Sequence, residues 1–280
     1  MTSTPFVSTQ WLADHLDDPD VTIIDASWFL PTQNRNGRTE YEAGHISGAV
    51  FFDIDEISDK TSSLPHMLPD PALFAQHMAR LGISDQAHLI VYDGAGLFSA
   101  PRVRWTLQVF GAKNVSILAG GAPKWRSENH PWTNAATTPK SATFTPTFNA
   151  ASVATLATVK STLKTGSAQI VDARPADRFR GDAPEPRPGL KSGHMPGSFN
   201  VPFGAIIADG QLKSPAEIRS AFASAGVNLD APVITSCGSG VSAAILALAL
   251  ETADKPIQAL YDGAWAEWGA RDDCDVAKGA

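Results

Sequence analysis

The sequence is short of cysteine, of net positive charge and of long apolar runs, and each shortage excludes something. Only Cys237 and Cys274 occur in 280 residues. Two cysteines make no disulfide framework in a chain this long, so a reducing compartment is the easier setting. No CxxC and no Cys/His cluster of zinc spacing is present, so neither a structural metal nor an organic cofactor is expected. Acidic side chains outnumber basic ones by 29 to 22, giving a formal charge of -7. That balance opposes nucleic-acid and anionic-membrane partners, which select basic surfaces. The longest apolar run, VSAAILALAL at 241–250, is too short to cross a bilayer. The N-terminal MTSTPFVSTQWLADHL has no basic stretch followed by an apolar core and no arginines, so a cytoplasmic location is expected.

What is present is ordinary for a globular chain: 43% hydrophobic and 18% charged residues. The length suits one large domain or two average ones, and internal repetition decides for two. TIIDASW (22–28) recurs as QIVDARP (169–175), and EYEAGHISGAVFFDI (40–54) as LKSGHMPGSFNVPF (190–203). DPALFAQHMARLG (70–82) recurs as SPAEIRSAFASAG (214–226), HLIVYDGAGLFSAP (88–101) as PVITSCGSGVSAAI (232–245), and GGAPKW (120–125) as DGAWAEW (262–268). The order is the same in both halves. Between them, residues 130–150 are rich in Thr, Pro and Asn without a clear period, as a linker would be. Domains are expected at 1–140 and 150–280.

Within each half, strands and helices alternate. VTIID, HLIVY, NVSIL, QIVDA and PVITS read as buried strands. Asp70-Pro71 and Ser214-Pro215 with Glu217 mark helix starts, and Gly82 and Gly226 mark helix ends. Alternation of this kind predicts an α/β fold, each domain a parallel sheet with helices on both faces.

Cys237 lies between the strand PVITS and the apolar run VSAAILALALETA. It is therefore expected at the carboxyl end of a strand, in the loop that opens a helix, where ligands bind in open α/β sheets. Gly238 and Gly240 let the backbone curl so that N–H groups converge, and the helix N-terminus adds partial positive charge. Such a setting stabilises an anion, and the thiolate is the nucleophilic form of cysteine. The competing reading is a small buried filler residue. Against it, the flanking glycines have no packing use, and the matching position of the first half is Asp93.

CGSGVSA, with GHISGAVFFDID, LPHMLP, LFSAPR, DARPADRFRG, EPRPG, GHMPGSFNVPF and YDGAWAEWGAR, closely resembles the tandem-rhodanese sulfurtransferases, in their 3-mercaptopyruvate branch. The resemblance covers nearly the whole chain. It implies two rhodanese-like domains, the first catalytically silent and the second carrying the nucleophile Cys237. The related cysteine phosphatases need an arginine six positions after the cysteine; here that position is Ala243, so phosphatase chemistry is excluded.

Two sulfur donors remain. Thiosulfate is a dianion, and its transferases are expected to place cations in the loop after the cysteine. Here Gly238 and Ser239 follow, with Gly240, Val241 and Ser242 completing a neutral loop around the transferred sulfur. 3-Mercaptopyruvate carries its charge on a carboxylate at the far end from sulfur. The resemblance implies that Arg178 and Arg187 bind that carboxylate, a task suited to the guanidinium fork. The implied reaction makes a Cys237 persulfide and releases pyruvate, and cyanide, a small thiol or thioredoxin then takes the sulfur. The alternatives are a thiosulfate:cyanide sulfurtransferase and a persulfide carrier module.

The resemblance also implies a Ser–His–Asp proton relay. Ser239 matches its serine and His45 its histidine, while Asn34 and Asn36 stand where the aspartate is sought. Asparagine can orient an imidazole but cannot stabilise an imidazolium by charge. The alternative for His45 is a turn histidine equivalent to His194, since both halves have GH-x-x-G. Asp25 and Asp172, at equivalent strand ends, are read as structural. His66 and Met67 are candidates to line the cleft. Trp265 and Trp268 are read as core residues, with one of them able to wall the site, and Cys274 is expected to be exposed and non-catalytic.

Overall fold

A computed structural model describes residues 5–279. It divides into two compact units. The first takes residues up to Asp59, 68–149 and 209–211; the second takes 60–67, 150–208 and 212–280. Residues 60–67, from the first half of the sequence, thus belong to the second unit.

In chain order the first unit has β1 (Phe6–Val7), α1 (Thr9–Asp14), β2 (Val21–Asp25), α2 (Gly37–Ala43), β3 (His45–Ile46), β4 (Val50–Phe51), α3 (Pro71–Leu81), β5 (His88–Tyr92), α4 (Ala100–Val109), β6 (Val115–Leu118), α5 (Gly121–Ser127) and β7 (Trp132–Thr133). The second half has β8 (Val153–Ala154), α6 (Leu156–Thr165), β9 (Gln169–Asp172), α7 (Ala176–Arg180), β10 (Phe199–Asn200), β11 (Ile207–Ala208), β12 (Gln211–Leu212), α8 (Pro215–Ser224), β13 (Val233–Ser236), α9 (Ala243–Thr252), β14 (Ala259–Tyr261) and α10 (Ala264–Trp268).

The main sheets run β1-β6-β5-β2-β4 and β10-β9-β13-β14-β8, all parallel. Read from the opposite edge, the second order is the first. The register repeats as well: Asp25 pairs with Tyr92 in one sheet, and Asp172 with Ser236 in the other. These are the α/β domains expected from the alternating pattern.

The central strands are buried along their length because helices cover both faces. Ile170 and Ile234 pack with Val159, Trp265 and Trp268 of α6 and α10. α9 is apolar all round, with Ile245, Leu246 and Leu250 excluded from solvent, as a helix enclosed by its own domain must be. Each such side chain contributes roughly 1.5–3 kcal/mol by burial. Among the described residues no helix is long and apolar enough to cross a membrane.

The helix starts form as their sequence dictates. The Asp70 side chain accepts from Ala72 N at the head of α3, and Ser214 and Glu217 form a capping box at α8. Gly82 caps α3 in the left-handed conformation; α8 ends one residue earlier, at Ala225, with Gly226 following at φ 82°.

The 130–149 segment, expected as a linker, is laid on the first unit. β7 pairs antiparallel with β3, Phe144 is buried edge-on against Phe74, and Thr147 N and Asn149 N bond to Phe110 O and Val109 O. Its few large apolar residues are enough to lay it on the first unit. Cys274 differs from expectation: it is buried in the core of the second unit, not exposed. The tail folds back there, held by Trp268 Nε1 to Asp275 O (2.9 Å) and by the bridge of His194 with Ala277.

Candidate active site

Cys237 directly follows β13, and the loop Cys237–Ser242 leads into α9. Its thiol is almost wholly enclosed, and of the loop residues Ser239, Gly240 and Val241 are buried while Gly238 and Ser242 are partly open. Three successive carbonyls are held from outside the loop. Cys237 O accepts from Trp265 N (2.8 Å), Gly238 O from Ala266 N (2.9 Å), and Ser239 O lies 3.1 Å from His66 Nδ1. In a planar trans peptide the N–H points opposite to the C=O. Fixing those carbonyls outward turns the N–H groups of 238, 239 and 240 the other way. Gly240 has φ 79°, a conformation glycine adopts at little cost.

The first unit shows what such a loop holds. Asp93 directly follows β5 as Cys237 follows β13, and Asp93 O accepts from Ala122 N (3.1 Å). The Asp93 carboxylate accepts four loop amides: Ala95 N (2.9 Å), Phe98 N (2.7 Å), Ser99 N (2.9 Å) and Ala100 N (2.8 Å). The strand-to-helix turn of this fold is therefore an anion cradle, filled by a carboxylate in one unit and headed by a thiol in the other.

Arg178, in α7, stands over the loop: a carbon added to Gly238 would lie 3.1 Å from one of its Nη atoms. It belongs to a chain of charges that the sequence analysis did not single out. Arg174 is buried, donates through Nε to Asp172 (2.9 Å) and through Nη1 to Glu185 (2.8 Å), and its Nη2 lies 2.7 Å from the Asp172 carboxylate as an ion pair. Its Nη2 also reaches Gly193 O (2.9 Å), and its guanidinium lies 4.2 Å from the Trp265 ring centroid. Burial works against the Arg174 charge, but Asp172 and then Glu185 outweigh it, so its proton is held more tightly than usual. Glu185, itself buried, takes Arg178 Nη2 and Nε (3.3 Å). Arg178 is thereby aimed while keeping part of its fork unused by Glu185. The only sequence signal for Glu185 was its place in EPRPG, where Arg187 drew the attention. Arg187 is half-buried in that same connection.

Trp265 and Trp268 both pack in the core of the second unit, and the Arg174 guanidinium lies over the Trp265 ring. Asp25 and Asp172 end corresponding strands and organise the turns after them.

The histidines separate. His66 is buried at the Cys237 loop, with a left-handed backbone (φ 61°) uncommon for a residue with a side chain. It belongs to LPHMLP, and Met67 beside it is half-buried. His45 has both ring nitrogens engaged within the first unit: Nδ1 at 2.7 Å from Tyr41 O and Nε2 at 3.4 Å from Thr137 Oγ1. Its ring stacks on Tyr41 as His194 stacks on Phe179. His45 is thus surrounded much as His194 is. Asn34 and Asn36 serve the backbone instead: Asn34 is left-handed and Asn36 caps α2 through Thr39 N (2.9 Å).

The model of the rhodanese-like domain matches this chain twice, over residues 8–128 and 155–271. The chain belongs to the rhodanese family. It is 49% identical over 277 residues to 3-mercaptopyruvate sulfurtransferase of Escherichia coli strain K12, covering 99% of each chain. It is 43% identical over 273 residues to thiosulfate sulfurtransferase of Rattus norvegicus, covering 95% of this chain and 92% of that one. The crystal structure of the 3-mercaptopyruvate sulfotransferase SseA from Escherichia coli superposes with a TM-score of 0.87 at 47% identity, covering 94% of this chain and 99% of the other. The chain thus matches these relatives over nearly its whole length.

Proposed function

We propose that the protein is a 3-mercaptopyruvate sulfurtransferase working through a persulfide on Cys237. The observation that carries this reading is the Arg178 guanidinium standing over Gly238, in a loop with no charged side chain of its own. A donor with sulfur at one end and carboxylate at the other fits a thiol in an amide cradle and a cation set apart from it.

The Cys237 thiolate attacks the donor sulfur. An S–S bond forms as the donor's C–S bond breaks, and the electron pair passes to the carbon, giving the enolate of pyruvate. Arg178 and Arg187 hold the donor carboxylate and steady the enolate charge, and a proton returns to carbon to release pyruvate. The loop amides of 238–240 face the sulfur. His66, joined to the loop at Ser239, takes the proton-handling role with Ser239, in place of His45. A thiol such as thioredoxin, or cyanide, then attacks the outer sulfur and restores the Cys237 thiolate. The first domain is silent because Asp93 fills its cradle. We infer a cytoplasmic location.

The rat relative supports a second reading, thiosulfate as donor. The neutral loop argues against it, since a second full negative charge beside the thiolate would go uncompensated. Incubation with 3-mercaptopyruvate followed by mass spectrometry tests the chemistry. One added sulfur on the Cys237 peptide is expected, and none in Cys237→Ser. Sulfur found instead on Cys274, or pyruvate released at the wild-type rate by Cys237→Ser, would overturn it.

A further inference from the structure

The first unit contains a cavity of about 410 Å³ whose walls carry both arginines and acids. The internal repeat accounts for the space. Asp25 accepts from Ser27 N (2.9 Å) as Asp172 accepts from Arg174 N (2.8 Å), so Ser27 holds the position of Arg174. Ala122 N bonds to Asp93 O as Trp265 N bonds to Cys237 O, so Ala122 holds the position of Trp265. Ser27 and Ala122 both line the cavity, together with Trp132. A guanidinium and an indole ring in one unit are thus replaced by small side chains in the other.

The arginine over the loop is kept. A carbon added to Gly94 would lie 3.5 Å from an Nη atom of Arg35, as one added to Gly238 would lie 3.1 Å from Arg178. Glu40 holds Arg35 through Nε (2.7 Å) and Nη2 (2.6 Å), as Glu185 holds Arg178. Arg35 Nη2 also reaches Gly94 O (3.4 Å), so Nη1 is the part of the fork that neither partner uses. A second arginine, Arg126, lines the same cavity. It is exposed, its guanidinium lies 5.3 Å from the Trp132 ring centroid, and among the described residues no carboxylate pairs with it. The acids of the lining do not offset it. Both Glu40 oxygens are taken by Arg35. Asp25 is buried and faces Ser27 of its own turn, Tyr92 and Asp93 at the end of β5, and Tyr41 of α2. Burial above all, with Asp93 adding a like charge, pushes the Asp25 carboxyl up to about 6, so it gives up its charge more readily than an ordinary acid.

We propose that this cavity binds a small aromatic carboxylate. The ring lies beside Trp132, in the space that Ala122 leaves open where the second unit has an indole. The carboxylate meets Arg126 and the unused Nη1 of Arg35. Asp93 stands in the place of the nucleophile, so the ligand is held without being turned over. The inference stands on the geometry of the first unit and not on the donor assigned to Arg178.

The probe is benzoate, titrated into the full-length protein by calorimetry, with benzamide as the neutral control of the same shape. Saturable one-to-one binding is expected at about pH 5.5, with Kd of about 1 mM or tighter for so small a ligand. At about pH 7.5 Asp25 is ionised and repels the carboxylate, so binding is expected to be about tenfold weaker and to take up a proton. Asp25→Asn, close to isosteric, is expected to bind about equally at both pH values, and Arg126→Ala to weaken binding about tenfold or more. Arg178→Ala is expected to leave this binding unchanged. No saturation by about 10 mM at the lower pH, equal binding of benzamide, unchanged affinity in Arg126→Ala, or binding lost in Arg178→Ala alone would overturn the proposal. So would an undiminished pH dependence in a folded Asp25→Asn protein. If Asp25→Asn does not fold, Arg126→Ala, at an exposed position, decides with the neutral control.

Discussion

Asp93 and Cys237 occupy one position of a duplicated fold, each at the end of the strand that pairs with the strand ending in Asp25 or Asp172. The Asp93 carboxylate takes four backbone N–H groups, so its work is structural. Asp93→Ala would leave those donors buried without an acceptor, and a loss of about 3 kcal/mol or more is expected in urea unfolding of the first unit. Cys237→Ser, nearly isosteric, is expected to cost less than about 1 kcal/mol while sulfur transfer is lost. A large stability loss at Cys237 with activity retained would reverse the two assignments.

Glu185 positions two arginines at once. Glu185→Gln removes one charge from a buried set of two acids and two bases, and destabilisation of about 3–5 kcal/mol is expected, read from the denaturation midpoint. Arg178 also loses its aim, so KM for the donor should rise more than kcat falls. An unchanged KM in a folded variant would mean that Arg178 does not meet the donor.

His66 and His45 should part in kinetics. His66→Ala is expected to lower kcat/KM by about a hundredfold or more and to alter its pH profile. His45→Ala is expected to keep the wild-type pH profile and to lower stability by about 1–3 kcal/mol through its two lost ring contacts. The opposite pattern would return the relay to His45.

Asp25 makes stability depend on pH. Its carboxyl is raised by burial to about 6 from the ordinary 3.8. The stabilisation that it gives is complete below the unfolded value and is lost as pH rises through about 6. The difference is about 3 kcal/mol at about 1.4 kcal/mol per pH unit. Asp25→Asn should therefore gain on the wild type in thermal unfolding as pH rises from 4 to 7. A constant difference over that range would count against the buried acid.

The repeat, the strands and the helix caps were legible in the sequence because each rests on local signals. Asp70-Pro71 and Ser214 with Glu217 satisfy backbone groups within a single turn of helix. Cys237 was legible because a strand, two glycines and an apolar helix adjoin it. What was not legible depended on distant partners. His45 and His66 both sit in suggestive motifs, and only the fold shows one bonded to Tyr41 and Thr137 and the other at Ser239. Glu185 looks like a surface acid until Arg174 and Arg178 are seen to converge on it. Cys274, in the polar run RDDCDV, is buried because the tail folds back onto the core beside Trp268.

The most direct test compares kcat/KM for 3-mercaptopyruvate and for thiosulfate, with the same cyanide acceptor, in wild type and in Arg178→Lys. A large preference for 3-mercaptopyruvate, reduced mainly through KM in the variant, is the predicted result. A preference for thiosulfate that survives in Arg178→Lys would contradict both the neutral-loop argument and the placement of the donor carboxylate.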